Sequence, residues 1–228
     1  MLLQSRCNNQ LRIPIQLRKE SFVKFLKNTF AILLFLFATQ VFAEPVPGKD
    51  YTLLQNPQAT NTGNKIEVLE FFFYGCSHCF YLHPELTAWE RKMPKDVELV
   101  YVPTIFNANW EPMAYTYYAL EVMGKNHELH NDLFNAWNVS NMALVNEQEI
   151  ATFLAKRGVD SQKFSAAYHS FGVQSKIVRS KQQTQAYGIR GTPTLIVDGK
   201  YLITGLQPAH TVKVMAELIE KVRKERKK

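Results

Sequence analysis

Residues Ile66 to Phe73 form a nearly continuous apolar run rich in β-branched and aromatic side chains, interrupted by Glu70. Such a run predicts a strand buried on both faces. Val97-Glu-Leu-Val-Tyr-Val102 predicts another, and Phe80 to Leu86 between them reads as helix. Pro84 falls inside that helix, so a kink is expected there. From about Trp110 to Tyr187 the period becomes helical: Met113, Tyr117 and Leu120 share one face, as do Leu129, Leu133 and Trp137. Asn146 with Glu149 forms a capping pair ahead of Ile150, Phe153 and Leu154, and Gly158 supplies the stop. Val173, Ile177 and the polar run to Gln185 predict a long helix returning to the sheet. Thr194 to Val197, Asp198-Gly199 and Tyr201 to Ile203 then predict a hairpin. Val212, Met215, Ile219 and Val222 line one face of a last helix, while Tyr51 to Leu54 predicts a short edge strand before a loop over 56–64. The aromatics and methionines of the helical block read as core. The order is strand, helix, strand, helical block, hairpin, helix, which is an α/β domain.

Cys76-Ser77-His78-Cys79 lies at the junction of the first buried strand and the helix after it. A sulfur at a helix N-terminus faces free backbone N–H groups and the positive end of the dipole, both of which favour the thiolate. The two cysteines are spaced to form a disulfide with each other, as a redox carrier needs. The only other cysteine, Cys7, lies in a segment that reads as removable. Two cysteines three apart are also half of a zinc site, but closed structural zinc takes four N/S ligands and no second Cys-x-x-Cys exists. His78 and His83 contribute only if another element supplies the rest. A purely structural disulfide over so short a loop gains little entropy.

Residues 24 to 43 change the meaning of the charge. Lys24 and Lys27 precede the apolar stretch Phe30 to Ala38, and Val41-Phe-Ala43 ends it with small residues at the minus-three and minus-one positions. This is the pattern of a secretory signal peptide with cleavage expected after Ala43 and residues 1–43 as leader. The apolar stretch, about 12 residues, is short for a membrane span, the alternative being an anchor that stays attached. Of the net charge of +7, the leader holds six Lys or Arg against one Glu, leaving about +2 for residues 44–228. The basic balance therefore gives no reason to expect nucleic acid as a partner. The basic C-terminus from Lys221 complements a helix dipole.

A Cys-x-x-Cys after the first central strand of this topology is a thioredoxin-like arrangement. Glu70-Phe-Phe-Phe-Tyr-Gly-Cys-Ser-His-Cys79, with Gly188-Ile-Arg-Gly-Thr-Pro-Thr194 and a helical block between them, resembles the DsbA-type periplasmic thiol:disulfide oxidoreductases. The resemblance spans residues 44–228 and implies an α/β thioredoxin fold with an inserted helical subdomain: residues 44–105 and 186–228 thioredoxin-like, 106–185 the insertion.

It also implies roles. Cys76 is the exposed nucleophile and Cys79 its buried partner. His78 can donate toward the Cys76 sulfur, and Ser77 stands where the family commonly has proline, a departure that puts the oxidising power in question. Thr192-Pro193 matches the family's cis-proline loop, with Thr192 offering backbone groups to an extended substrate; an ordinary turn would carry a trans proline. Glu70 is costly in an apolar strand without a partner, and Val97 to Val102 contains no Lys or Arg. The resemblance makes it a carboxyl of raised pKa that handles the Cys79 proton; a strand-end carboxylate reaching water is the alternative.

The implied partners are reduced or unfolded exported proteins and a membrane reoxidant of the DsbB type, the location is the periplasm, and no cofactor is called for. With 32 residues between Ala43 and Cys76 there is no room for an N-terminal dimerisation domain, so a monomer is expected rather than a dimeric isomerase. A reductase is the enzymatic alternative; a metal-binding or chaperone module is the non-enzymatic one. His127-Glu-Leu-His130 lacks the second half of a metalloprotease motif. Asn138-Val-Ser140 matches a glycosylation pattern that is common by chance, and the chain has no phosphate-cradling Gly-rich loop.

Overall fold

The computed structural model describes residues 44–227, so the signal peptide and leader expected over 1–43 lie outside the described residues. The strands are β1 (Thr52–Leu53), β2 (Ile66–Phe72), β3 (Val97–Pro103), β4 (Thr194–Val197) and β5 (Tyr201–Thr204). The helices are α1 (Ser77–Glu90), α2 (Glu111–Val122), α3 (Asn126–Asn138), α4 (Glu147–Ala155), α5 (Ser161–Tyr168), α6 (Phe171–Ala186) and α7 (Pro208–Arg226).

All seven residues of β2 are buried, as the apolar run predicts. The strand lies inside a five-stranded sheet of order β1-β5-β4-β2-β3, parallel to the edge strand β3 and antiparallel to the central β4. Successive side chains of a strand point to opposite faces. Ile66 and Val68 meet Leu82 and Leu86 of α1 and Val214, Leu218 and Val222 of α7. On the other face Leu69 and Phe71 meet Tyr187 and Ile189, which follow α6. The five helices between β3 and β4 form a further core, into which Phe72, Phe73 and Tyr74 project from the end of β2. Glu70, two residues from Val68 and two from Phe72, therefore shares their face, beneath α1.

Pro84 does not divide α1: it is exposed, while Leu82 and Leu86 beside it are buried and hold the helix on the sheet. The cap at α4 forms as the sequence predicts, Asn146 Oδ1 accepting from the Glu149 N–H at 2.9 Å, and Gly158 ends that helix region at φ +78°. The basic end of α7 does more than complement its dipole. Arg223 pairs with Asp96 at 2.6 Å, and Arg226 donates to the Asn64 carbonyl at 2.7 Å, tying the helix end to the loops flanking β2 and β3.

The β4–β5 hairpin turns through Asp198 (φ 53°) and Gly199 (φ 65°), with the Lys200 N–H donating to the Val197 carbonyl at 3.1 Å. Left-handed backbone at both central residues matches the right-handed twist of the flanking strands. A Cβ at Gly199 would also strike the Gln58 backbone oxygen, which cannot retreat as a flexible side chain can. Gly199→Ala is expected to lower unfolding stability by roughly 2–3 kcal/mol, read from the urea midpoint.

Candidate active site

The loop that delivers Cys76 is clamped from the helical block. Asn138, at the end of α3, donates Nδ2 to the Tyr74 carbonyl at 2.8 Å and to the Phe134 carbonyl at 2.9 Å. The glycosylation pattern there thus coincides with an amide already engaged inside the protein. Phe73 stacks on Trp110 with centroids 3.9 Å apart and meets Trp137 edge-on. Between them Gly75 leaves no space: an added Cβ would lie 2.5 Å from Phe73 Cε1 and 2.7 Å from Trp137 Cε3. The chain enters α1 in a geometry fixed from both sides.

Cys76 is the N-cap of α1, with extended backbone (φ −86°, ψ 114°) and no side-chain cap. Its sulfur is half-buried, and Cys79, one turn on, is fully buried. The pKa of Cys76 is lowered from the ordinary 9.0 to about 5, against the effect of burial. The largest cause is the Cys79 thiol donating to the Cys76 thiolate, followed among the favourable causes by the Thr192 hydroxyl and the backbone N–H groups of Cys79 and His78. In the thiol form the same sulfur donates to the Thr192 carbonyl at 3.2 Å. Thr192 thus serves either protonation state, its carbonyl accepting from the thiol and its hydroxyl donating to the thiolate. Cys79 moves the opposite way, its pKa raised by burial first and then by its bond to Cys76 and the nearby Glu70 charge.

His78 and Ser77 are both exposed. The His78 ring makes no hydrogen bond among the described residues, and the His78 backbone N–H is among the groups that favour the Cys76 thiolate. The ring instead lines a groove of about 640 Å³ running past Tyr81, Thr192, Pro193, Leu206 and Pro208. The Thr192–Pro193 bond is cis.

Glu70 is 2% exposed, with Oε1 lacking any hydrogen-bond partner. Burial raises its pKa from 4.5 to about 8, with smaller contributions from Cys76 and Glu90 and none from a cation. The carboxyl therefore does not reach water at a strand end. Glu67, unremarked in the sequence reading because it borders the strand's start, is equally buried; it accepts from the Asn61 N–H at 2.8 Å through one oxygen only. Two further histidines were not legible as a pair: His130 Nδ1 bonds the Tyr74 hydroxyl at 2.7 Å, and its ring lies 4.8 Å from that of His83.

One activated thiolate, one buried thiol within bonding reach and an acid beneath them on a thioredoxin-like sheet define a thiol:disulfide oxidoreductase. Comparison with known proteins agrees. A DSBA-like thioredoxin domain family model matches residues 95–215. The thiol:disulfide interchange protein DsbA of Pseudomonas aeruginosa is 38% identical over 184 residues, covering 79% of this chain and 87% of that protein. The Burkholderia cepacia protein of the same name is 38% identical over 170 residues, covering 74% and 79%. The crystal structure of Pseudomonas aeruginosa DsbA superposes with a TM-score of 0.76, covering 79% of this chain and 96% of that one at 38% identity. The oxidoreductase DsbA from Xylella fastidiosa gives 0.75 at 30% identity, covering 79% and 99%. The chain belongs to the DsbA-like family of thiol:disulfide oxidoreductases.

Proposed function

We propose that the protein is a dithiol oxidase that donates a Cys76–Cys79 disulfide to exported proteins. The observation that carries this reading is the opposite displacement of the two thiols. A substrate thiolate attacks the Cys76 sulfur; the Cys76–Cys79 bond breaks and Cys79 leaves as a thiolate, which takes a proton from Glu70. The substrate's second thiolate then attacks its own sulfur in the mixed disulfide. Its disulfide forms and Cys76 departs as a thiolate, a good leaving group because its charge is stabilised. Two electrons pass from the substrate to the enzyme.

In this reading Thr192 and Pro193 hold an extended substrate segment beside the sulfur, with His78 at the mouth of the groove and Ser77 adjusting the exposed end of α1. Residues 44–105 and 186–228 form the thioredoxin-like part and 106–185 the inserted helical part. The protein works as a monomer in the periplasm after export, and a membrane reoxidant of the DsbB type restores its disulfide.

Two measurements test the assignment. Cys79→Ser, first loaded at Cys76 as a mixed disulfide with glutathione, is expected to exchange glutathione for a single-thiol client and to hold that client as a mixed disulfide visible by mass, since Cys79 is no longer there to displace it. Equilibration with glutathione buffers is expected to give a reduction potential well above that of the glutathione pool. A potential near that of thioredoxin would sink the oxidase direction and favour a reductase.

A further inference from the structure

Resting on the assignment of Glu70 as the acid for Cys79, we propose that Tyr101 and Glu90 form the outer half of a proton relay that connects Glu70 to solvent. Glu70 and Tyr101 are Cα partners on the adjacent parallel strands β2 and β3, so their side chains leave the same face of the sheet side by side. The Tyr101 hydroxyl donates to Glu90 Oε2 at 3.1 Å. Glu90 closes the C-terminal end of α1, and with Tyr101, Tyr117, His83, His127 and His130 it lines a cleft of about 320 Å³. The three groups thus lead from a carboxyl that is 2% exposed to a wall of an open cleft.

The groups facing Glu70 narrow the choice of route. Around it stand Cys76, Cys79 and Glu90 of α1, Tyr74 from the chain after β2, Tyr101 of β3 and Tyr117 of α2, with no cation among those acting on it. A lysine or arginine beside Glu70 would hold it ionised and unable to donate. Without one, the acid stays protonated near neutral pH and has a proton to give. The buried histidines of the cleft make poor carriers. Burial lowers His83 to about 4 and holds His130 well below its ordinary value, while its Nδ1 is engaged by Tyr74. Burial and the flanking carboxylates raise the Tyr101 pKa, so Tyr101 passes a proton by giving one as it receives another, without ionising. Glu90 is the carboxylate that meets water.

During substrate oxidation Cys79 thiolate takes the Glu70 proton. Glu70 is then reprotonated from the Tyr101 hydroxyl across one bridging water, as Tyr101 takes a proton that Glu90 has first accepted from an acid in the cleft. Reoxidation runs the same path outward, and no electrons move along it.

The test is the rate at which a reduced dithiol peptide reduces the disulfide form of Tyr101→Phe, Glu90→Gln and Glu70→Gln, by acid quench and mass analysis. Tyr101→Phe is expected to slow the reaction about tenfold and Glu90→Gln several-fold. Added imidazolium, small enough for the cleft, is expected to restore the Tyr101→Phe rate, with the glutathione equilibrium constant changed less than twofold. Wild-type rates for both outer variants beside a slow Glu70→Gln would overturn the relay and leave the Glu70 assignment standing. A slow Tyr101→Phe that ignores imidazolium would also overturn it, since a packing defect behaves in that way. A wild-type rate for Glu70→Gln would remove the Glu70 assignment itself.

Discussion

The reduced protein is expected to gain stability on the oxidised protein as pH rises from about 5 to about 9. Cys76 exists as an ionisable thiol only in the reduced form, and folding lowers its pKa from 9.0 to about 5. A depressed folded pKa contributes stability that is fully present above the unfolded value and is lost as pH falls through the folded value. Four pH units correspond to about 5 kcal/mol at most. Solvent screening of a half-buried sulfur reduces this to roughly 2–4 kcal/mol. Above about pH 9 the gain reverses, because Cys79 ionises in the unfolded chain while burial keeps it a thiol in the folded one. Glu70 is present in both redox forms and largely cancels from the difference. Urea unfolding of both forms at pH 4, 7 and 9 measures the gap directly, and iodoacetamide alkylation of Cys76 should show a midpoint near pH 5. A gap independent of pH would mean that the thiolate is not stabilised by the fold, and the oxidising direction would lose its driving force.

Replacing Glu70 by leucine is expected to stabilise the protein, and increasingly so at higher pH. The folded state holds this carboxyl neutral up to about 8, whereas the unfolded chain ionises it near 4.5. The unfolded state therefore sheds a proton the folded state keeps, and wild-type stability falls across that window. The advantage of Glu70→Leu over wild type should grow by about 4 kcal/mol between pH 4 and pH 9. Removing an unpartnered buried carboxyl adds about 1–3 kcal/mol at every pH. Denaturation midpoints of the two proteins at both pH values give the comparison, and a difference that does not widen would show that Glu70 is ionised in the folded state. The same variant should exchange disulfides slowly. The strand would then be carrying a destabilising residue for the sake of the chemistry above it, a usual relation between stability and activity.

The elements of this protein were open to reading because their signals are local. A strand buried on both faces shows as an apolar run, an Asn146 cap as a residue pair three apart, and the Asp198-Gly199 turn as two residues tolerant of positive φ. The Cys-x-x-Cys announced its chemistry for the same reason: both thiols and the helix end that favours the thiolate lie within four residues. Glu70 was conspicuous as a charge in an apolar strand, but its lack of a cation depended on every element packed around it. The bond from Cys76 to Thr192 spans 116 residues, that from Asn138 to Tyr74 spans 64, and Tyr101 reaches Glu90 from a different element. Periodicity reports that a face is buried and is silent about which distant side chain meets it. The His78 backbone N–H was likewise hidden, since every residue carries one and only the direction of α1 aims it at the sulfur. Sequence alone thus determined the strands, helices and reactive pair, through propensity and patterning over a few residues. Tertiary structure decided which thiol is buried, which carboxyl is shut off from water and which hydrogen bonds reach across the chain, because those depend on packing that only the folded chain creates.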